Sequence, residues 1–467
     1  MEQHNFKDKH MLKHLVSEYE AMSQKGTVGF LEKKAFLELI DHYEMESQLD
    51  KAIEVIEYAL LQYSYSTEFY IRKAQLLIEK KCAYQAIACL EHAEILSPSE
   101  LEIFLFKAEA LCSLGNYDEA FELLQALKGK LDKEELSEVL MLEAHIHENL
   151  EDFDKMFRSL EDALLANPKN SVALERVWLS VELSAKYQQS VKLHNYLIDQ
   201  DPYSYIAWYN LGHAYACLER YEDAIEAFEY AYIINEKFEF AYRDCGEICL
   251  RDKQYHKALK CYNEALEFFE PDSDFLYNIG QCHEFLSEIT TAKSFYKEAI
   301  LLNPANDLAY YRMGECYVKE KKWKSAIHAY QKALNLEGKR EEYIAALAEV
   351  YYQIDDEQQA KQLFKKAADT APETTKYWIQ YASFLMDVGS LHEALLVLEE
   401  AEIYSIGVEL LYCRTACEFM LGHRQEALSL LQSALLENYN MHESLFDLVP
   451  EVEGDPEVIH LIQSYRA

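Results

Sequence analysis

Residues 205–238 read YIAWYNLGHAYACLERYEDAIEAFEYAYIINEKF, and the fold follows from this stretch. Its glycine, Gly212, is echoed at intervals of 34 by Gly246, Gly280 and Gly314. Twelve residues after each glycine stands an alanine: Ala224, Ala258, Ala292 and Ala326. Four further on stands an aromatic: Phe228, Tyr262, Tyr296 and Tyr330. Three beyond that is a second alanine: Ala231, Ala265, Ala299 and Ala333. A fixed period of this size marks a repeat architecture, whose units bury their apolar faces by stacking on one another. Run outward, the frame starts repeats at 33, 67, 101, 137 and 171 upstream, and at 239, 273, 307, 341, 375 and 409 downstream. The first alanine recurs as Ala52, Ala86, Ala120, Ala360 and Ala394, and a closing proline as Pro98, Pro168, Pro202, Pro304 and Pro372. The frame slips forward by two residues after Leu131 and back by one near Gly422. Twelve repeats then cover 33–441.

The set Trp208, Leu211, Gly212, Tyr215, Ala224, Phe228 and Ala231 resembles the tetratricopeptide repeat (TPR), with Glu236 where a closing proline would stand. The resemblance implies an all-α fold, a right-handed superhelical solenoid of antiparallel helix pairs, with helices A and B in each repeat. The residue types make physical sense there. A small residue at the eighth place lets helix B approach helix A, with the first alanine as its partner. The second alanine admits the next repeat's helix A, and the aromatics fill the gaps. Proline ends helix B because it cannot continue the hydrogen-bond ladder. On this reading residues 1–32 form an N-terminal cap, with an amphipathic helix over 6–22, and 33–170 hold repeats 1–4. Residues 171–204 are a divergent repeat, 205–441 hold repeats 6–12, and 442–467 form a C-terminal cap whose closing helix follows Asp455-Pro456.

The divergent repeat carries Trp178 at the eighth place, and Ser190, His194 and Leu197 where alanine, aromatic and alanine are expected. A tryptophan there must splay the two helices or swing outward. Two readings stay open: a seam with a hinge or partner pocket at Trp178, or a locally repacked repeat.

Composition bounds the function. The chain of 467 residues is 50% apolar, enough for a large core, and holds only 13 Gly and 8 Pro, too few for a loop-rich all-β fold. Its 82 acidic and 45 basic residues leave a formal net charge of -37, which disfavours nucleic acid and anionic membrane surfaces as partners. The N-terminal residues lack the apolar core of a secretory signal, and no stretch is long and apolar enough to span a membrane. The 11 cysteines include no CxxC pair, and a cytoplasmic location is expected. Cys245 and Cys249, like Cys413 and Cys417, share a helix face; both pairs are read as small core residues, so no metal and no cofactor are expected. No GxGxxG, GxSxG, P-loop or HExxH motif occurs, so the chain is not expected to be an enzyme.

The resemblance implies that helices A line a concave peptide-binding groove. Its places two, five, six, nine and twelve in the C-terminal half include Tyr209, Asn210, His213, Arg243, Glu247, Tyr277, Asn278, Gln281, Glu284, Tyr311, Arg312, Glu315, Glu349 and Tyr352. Tyrosine offers contact area at low entropic cost and glutamate selects charge, so an acidic groove suits a basic or amphipathic segment. The carboxylate clamp of chaperone-binding TPR domains is matched only in part. Arg243, Asn278 and Arg312 fit it, but Glu247 and Leu308 stand where Asn and Lys are needed. The expectation is a non-catalytic scaffold or adaptor for a protein or peptide partner with a basic segment. The alternative is a constitutive subunit of a multiprotein assembly, dimerising or packing through its N-terminal repeats.

Overall fold

The computed structural model describes residues 2–24 and 29–465, with side chains from Met11 onward, Lys130 excepted. Among the described residues there are helices and turns but no strand. The chain divides into two compact halves, Met1–Phe238 and Glu239–Ala467. The first half comprises α1 Glu2–Ser23, α2 Lys33–Met45, α3 Leu49–Gln62, α4 Thr67–Glu79, α5 Ala83–Leu96, α6 Leu101–Ser113, α7 Tyr117–Leu127, α8 Lys133–Asn149, α9 Phe153–Ala166, α10 Ser171–Ser184, α11 Tyr187–Gln200, α12 Tyr205–Cys217 and α13 Tyr221–Ile234. The second comprises α14 Glu239–Arg251, α15 Tyr255–Ala265, α16 Ser273–Phe285, α17 Ile289–Leu302, α18 Asp307–Lys319, α19 Trp323–Leu336, α20 Glu341–Gln353, α21 Glu357–Thr370, α22 Thr375–Asp387, α23 Leu391–Tyr404, α24 Val408–Leu421 and α25 Arg424–Glu437. Two closing helices follow, α26 Glu443–Leu448 and α27 Pro456–Ser464. Ten of the twelve expected repeat starts are the first residues of helices; α8 begins four residues early and α24 one.

Each helix pair turns on one left-handed residue. Positive φ occurs at Ser47, Lys81, Gly115, Glu151, Ala185, Glu219, Lys253, Ser287, Lys321, Asp355, Gly389 and Gly422, one per repeat and 34 residues apart save at the two frame slips. This residue reverses the chain at the end of helix A and lets the next amides cap it. At Lys81, for example, Lys81 N donates to Ile78 O (2.8 Å) and Cys82 N to Leu77 O (2.7 Å), the paired bonds of a Schellman cap.

The eighth-place glycines sit against rings. A Cβ added at Gly212, Gly246, Gly280 or Gly314 would lie 2.4–2.6 Å from a ring carbon of Phe228, Tyr262, Tyr296 or Tyr330. The first alanine of helix B is fully buried in each of these repeats, and the aromatic four residues on closes over the glycine as well. A polar relay ties repeats together in both halves. Ser273 Oγ donates to Ala299 O (3.0 Å), Asn306 Nδ2 donates to Ser273 Oγ (2.8 Å), and Asn306 Oδ1 accepts from Ala309 N (2.9 Å). Ser137, Ala163, Asn170 and Ala173 form the same relay.

In the divergent repeat, α10 packs chiefly on α9, and α11 on α12, rather than on each other. Trp178 swings out half-buried, and His194 fills the interior in its stead. The apolar core nonetheless runs on from Leu160 through Val177 and Leu197 to Leu211.

Candidate interaction surfaces

A cavity lies beside the frame slip after Leu131. The extra residues end α7 in a short 3-10 turn over Lys128–Lys130 and give α8 an additional N-terminal turn. Asp132 caps that turn, accepting from Glu134 N and Glu135 N at 2.9 Å each. Between α6, α8 and the start of α10 lies a cavity of about 610 Å³. Leu105, Phe106, Met141, Leu142 and Val172 give it an apolar lining, and Glu102, Glu109, Glu134 and Glu138 carry its charge, with Lys169 at one side. Burial pushes the Glu109 carboxyl up from its ordinary range. Glu138 is raised by burial first and then by Glu102, Glu135, Asp132 and Glu134, a like-charge field. Two nearby cations are engaged elsewhere, Lys107 with Glu94 (3.1 Å) and Lys128 with Glu143 (2.7 Å). A cation arriving here would therefore relieve repulsion as well as gain attraction.

Further along the first half, three of the expected residues meet. The Trp178 ring stacks on His213 at 4.9 Å, and Tyr209 packs edge-on against His213 at 4.5 Å. Asn210 is different: it is buried, and its amide donates to Leu174 O at 2.8 Å, joining repeats 5 and 6.

In the second half most of the expected polar residues are bound internally. The Arg243 guanidinium donates to Glu239 (Nε, 2.8 Å) and Asp272 (Nη2, 2.8 Å) and lies over the Phe275 ring. Glu284 is buried, accepting from the Tyr296 hydroxyl at 2.7 Å and from Lys319 Nζ at 2.8 Å. Glu315 accepts from the Tyr330 hydroxyl. Tyr311 donates to Glu342 (3.2 Å) and stacks on Tyr343, and Gln281 donates to the Tyr277 hydroxyl (3.0 Å). Arg312 lies 5.9 Å from the Phe285 and Tyr311 ring centres; burial alone would lower its pKa, but the Tyr277 hydroxyl and the Glu284 charge raise it. Tyr352 packs edge-on to Phe384 at 5.2 Å. Glu247 and Glu349 remain exposed as residues; partial enclosure of the Glu247 carboxyl and then Asp244 push it up, while Arg251, Arg243 and the Asn278 amide pull the other way.

Cys245, Cys249 and Cys261 are brought together in the core of repeat 7, a third thiol that the sequence spacing does not reveal because it lies on the other helix of the pair. The cavity carboxylates also escaped the sequence reading, although the slip and the acidic run over 132–138 mark the place. Among the described residues no helix is long and apolar enough to cross a membrane.

Comparison with known proteins agrees with the frame. Residues 137–170, 205–238 and 287–350 match models of the tetratricopeptide repeat, the first two with the boundaries of repeats 4 and 6. Residues 324–401 match a model described as anaphase-promoting complex, cyclosome, subunit 3. The chain is 21% identical over 365 residues to TPR repeat-containing protein YpiA of Bacillus subtilis, covering 77% of this chain and 84% of that protein. It is 23% identical over 330 residues to TPR repeat-containing protein MJ1428 of Methanocaldococcus jannaschii, covering 71% of this chain and 55% of that protein. Among solved structures, yeast Tom70 aligns over 93% of this chain and 100% of its own, at 16% identity and a TM-score of 0.43.

Proposed function

We infer that this tetratricopeptide-repeat protein is a protein-interaction scaffold, and propose that it takes up a basic, amphipathic segment of another protein on its A helices. The observation that carries the reading is the cavity between α6, α8 and α10, apolar within and bearing four glutamates. Apolar side chains of the partner would fill it while lysine or arginine answers Glu102, Glu109, Glu134 and Glu138. The exposed Glu247 and Glu349, with Tyr352, offer a second, weaker contact on the other half. No catalytic role is assigned to either surface.

The test uses a fluorescent peptide built of lysine and leucine with helical spacing, titrated into the full chain and followed by anisotropy. Glu109→Lys combined with Glu138→Lys should weaken binding about tenfold or more, equivalent to ~1.4 kcal/mol. Glu247→Lys combined with Glu349→Lys should weaken it less. Binding that both pairs leave unchanged would overturn the proposal.

A second reading, a constitutive subunit of a multiprotein assembly, is favoured by the match over residues 324–401. It predicts association that survives high salt, because it would rest on apolar area. Light scattering separates the readings: a dimer retained on dilution and in high salt favours the subunit, a monomer favours the adaptor.

A further inference from the structure

Cys245 and Cys249 lie one turn apart on α14, and α15 brings Cys261 to meet them. The three sulfurs all lie within 4.8 Å of one another, with Cys245 Sγ and Cys261 Sγ 3.3 Å apart. All three residues are buried. Zinc–thiolate bonds of about 2.3 Å hold sulfurs roughly 3.8 Å apart around a tetrahedral centre. Changes in sulfur separation of about half to one ångström would therefore seat an ion among these sulfurs.

The repeats themselves supply an internal control on packing. The places of Cys245, Cys249 and Cys261 are held by Leu211, Tyr215 and Ala227 in repeat 6, by Ile279, His283 and Phe295 in repeat 8, and by Met313, Tyr317 and Ala329 in repeat 9. The fold therefore does not call for sulfur at these places, yet repeat 7 has it at all three. The other four-apart pair, Cys413 and Cys417, has no third thiol within the same reach among the described residues.

We propose that Cys245, Cys249 and Cys261 form a three-thiolate site for a soft, thiophilic cation, either Zn(II) or Cu(I). Thiolate donors select these ions over magnesium, calcium and manganese, which prefer oxygen. Three sulfurs alone satisfy Cu(I), whereas Zn(II) would add a fourth donor and leave less net charge in the core. Hydrogen bonds to Cys249 and Cys261, and then burial, raise the Cys245 thiol; the Cys249 thiol, against the opposing hydrogen bond of Cys245, is pushed up to about 12 by Cys261 and burial. Binding must release protons, and it weakens as pH falls.

The full chain, stripped of metal under reductant, is titrated with Zn(II) and, separately, with Cu(I), each against a chromophoric chelator, with Mg(II) and Mn(II) as controls. One equivalent of Zn(II) or of Cu(I) should bind and raise the melting temperature, and whichever competes more strongly names the ion. Cys261→Ala, which installs the residue of repeats 6 and 9, should lose that step while keeping the helical content. Cys413→Ser should keep it. No stoichiometric uptake of either ion, or equal uptake by the Cys261→Ala protein, would overturn the proposal.

Discussion

Gly280 faces the ring of Tyr296, whose hydroxyl is held by buried Glu284, so neither the helix nor the ring can easily give way. Gly280→Ala forces a methyl into that contact and should cost about 1–3 kcal/mol, seen as a lower urea midpoint. The turn residues predict the opposite sign. Ala185 is exposed with φ of 54°, a conformation that strains a Cβ. Ala185→Gly should stabilise the chain by about 0.5–1 kcal/mol, the relief of strain exceeding the entropy that glycine loses on folding. An unchanged or lower melting temperature would show that this turn is not strained.

The divergent repeat is governed by one element, α11, and by the histidine that it buries. His194 Nδ1 lies 2.8 Å from Ser190 O, and its Nε2 has no hydrogen-bond partner. Burial pulls its pKa down to about 4, against a smaller opposing effect of the Ser190 carbonyl. The folded pKa is thus below the unfolded value of about 6.5. Stability is therefore complete above pH 6.5 and falls as pH drops toward 4, by up to about 3 kcal/mol. Thermal melts between pH 7 and pH 4 should show this loss, and His194→Leu should flatten that part of the profile. Identical profiles for both proteins would remove His194 as the cause. The relay at Asn306 makes a matching claim for regular repeats: Asn306→Ala removes an N-cap and leaves the Ser273 hydroxyl one partner short. It should cost about 1–2 kcal/mol by chemical denaturation.

These elements also show what was legible beforehand. The helix starts could be read because a period of 34 is a property of the chain itself, written in Gly212, Ala224 and Phe228 and their echoes. The use of each polar side chain was not. Glu284 and Glu315 stand at places expected to face a ligand, but the helix B tyrosines, Tyr296 and Tyr330, reach them first. Asn210 turned inward for the same reason, a backbone carbonyl at Leu174 lay within its reach. Trp178, His213 and Tyr209 met because an outward-swung tryptophan at place eight finds the ninth place of the next repeat. The cavity lies beside an irregularity, the extra turn of α8, and regular periodicity says nothing about irregularities.

For the whole molecule the decisive quantity is charge. A formal net of -37 over 467 residues means that the compact state works against its own repulsion, and a basic partner relieves it. Binding should accordingly weaken as salt rises, whereas the stability of the free chain should not suffer from screening. The central claim, that a basic amphipathic segment lodges between α6, α8 and α10, is tested most directly by hydrogen exchange on the full chain with and without the lysine–leucine peptide. The account predicts slowed exchange concentrated in Leu101–Ser113, Lys133–Asn149 and Ser171–Ser184. Saturating peptide that leaves these three helices unchanged, or protects only other segments, would contradict it.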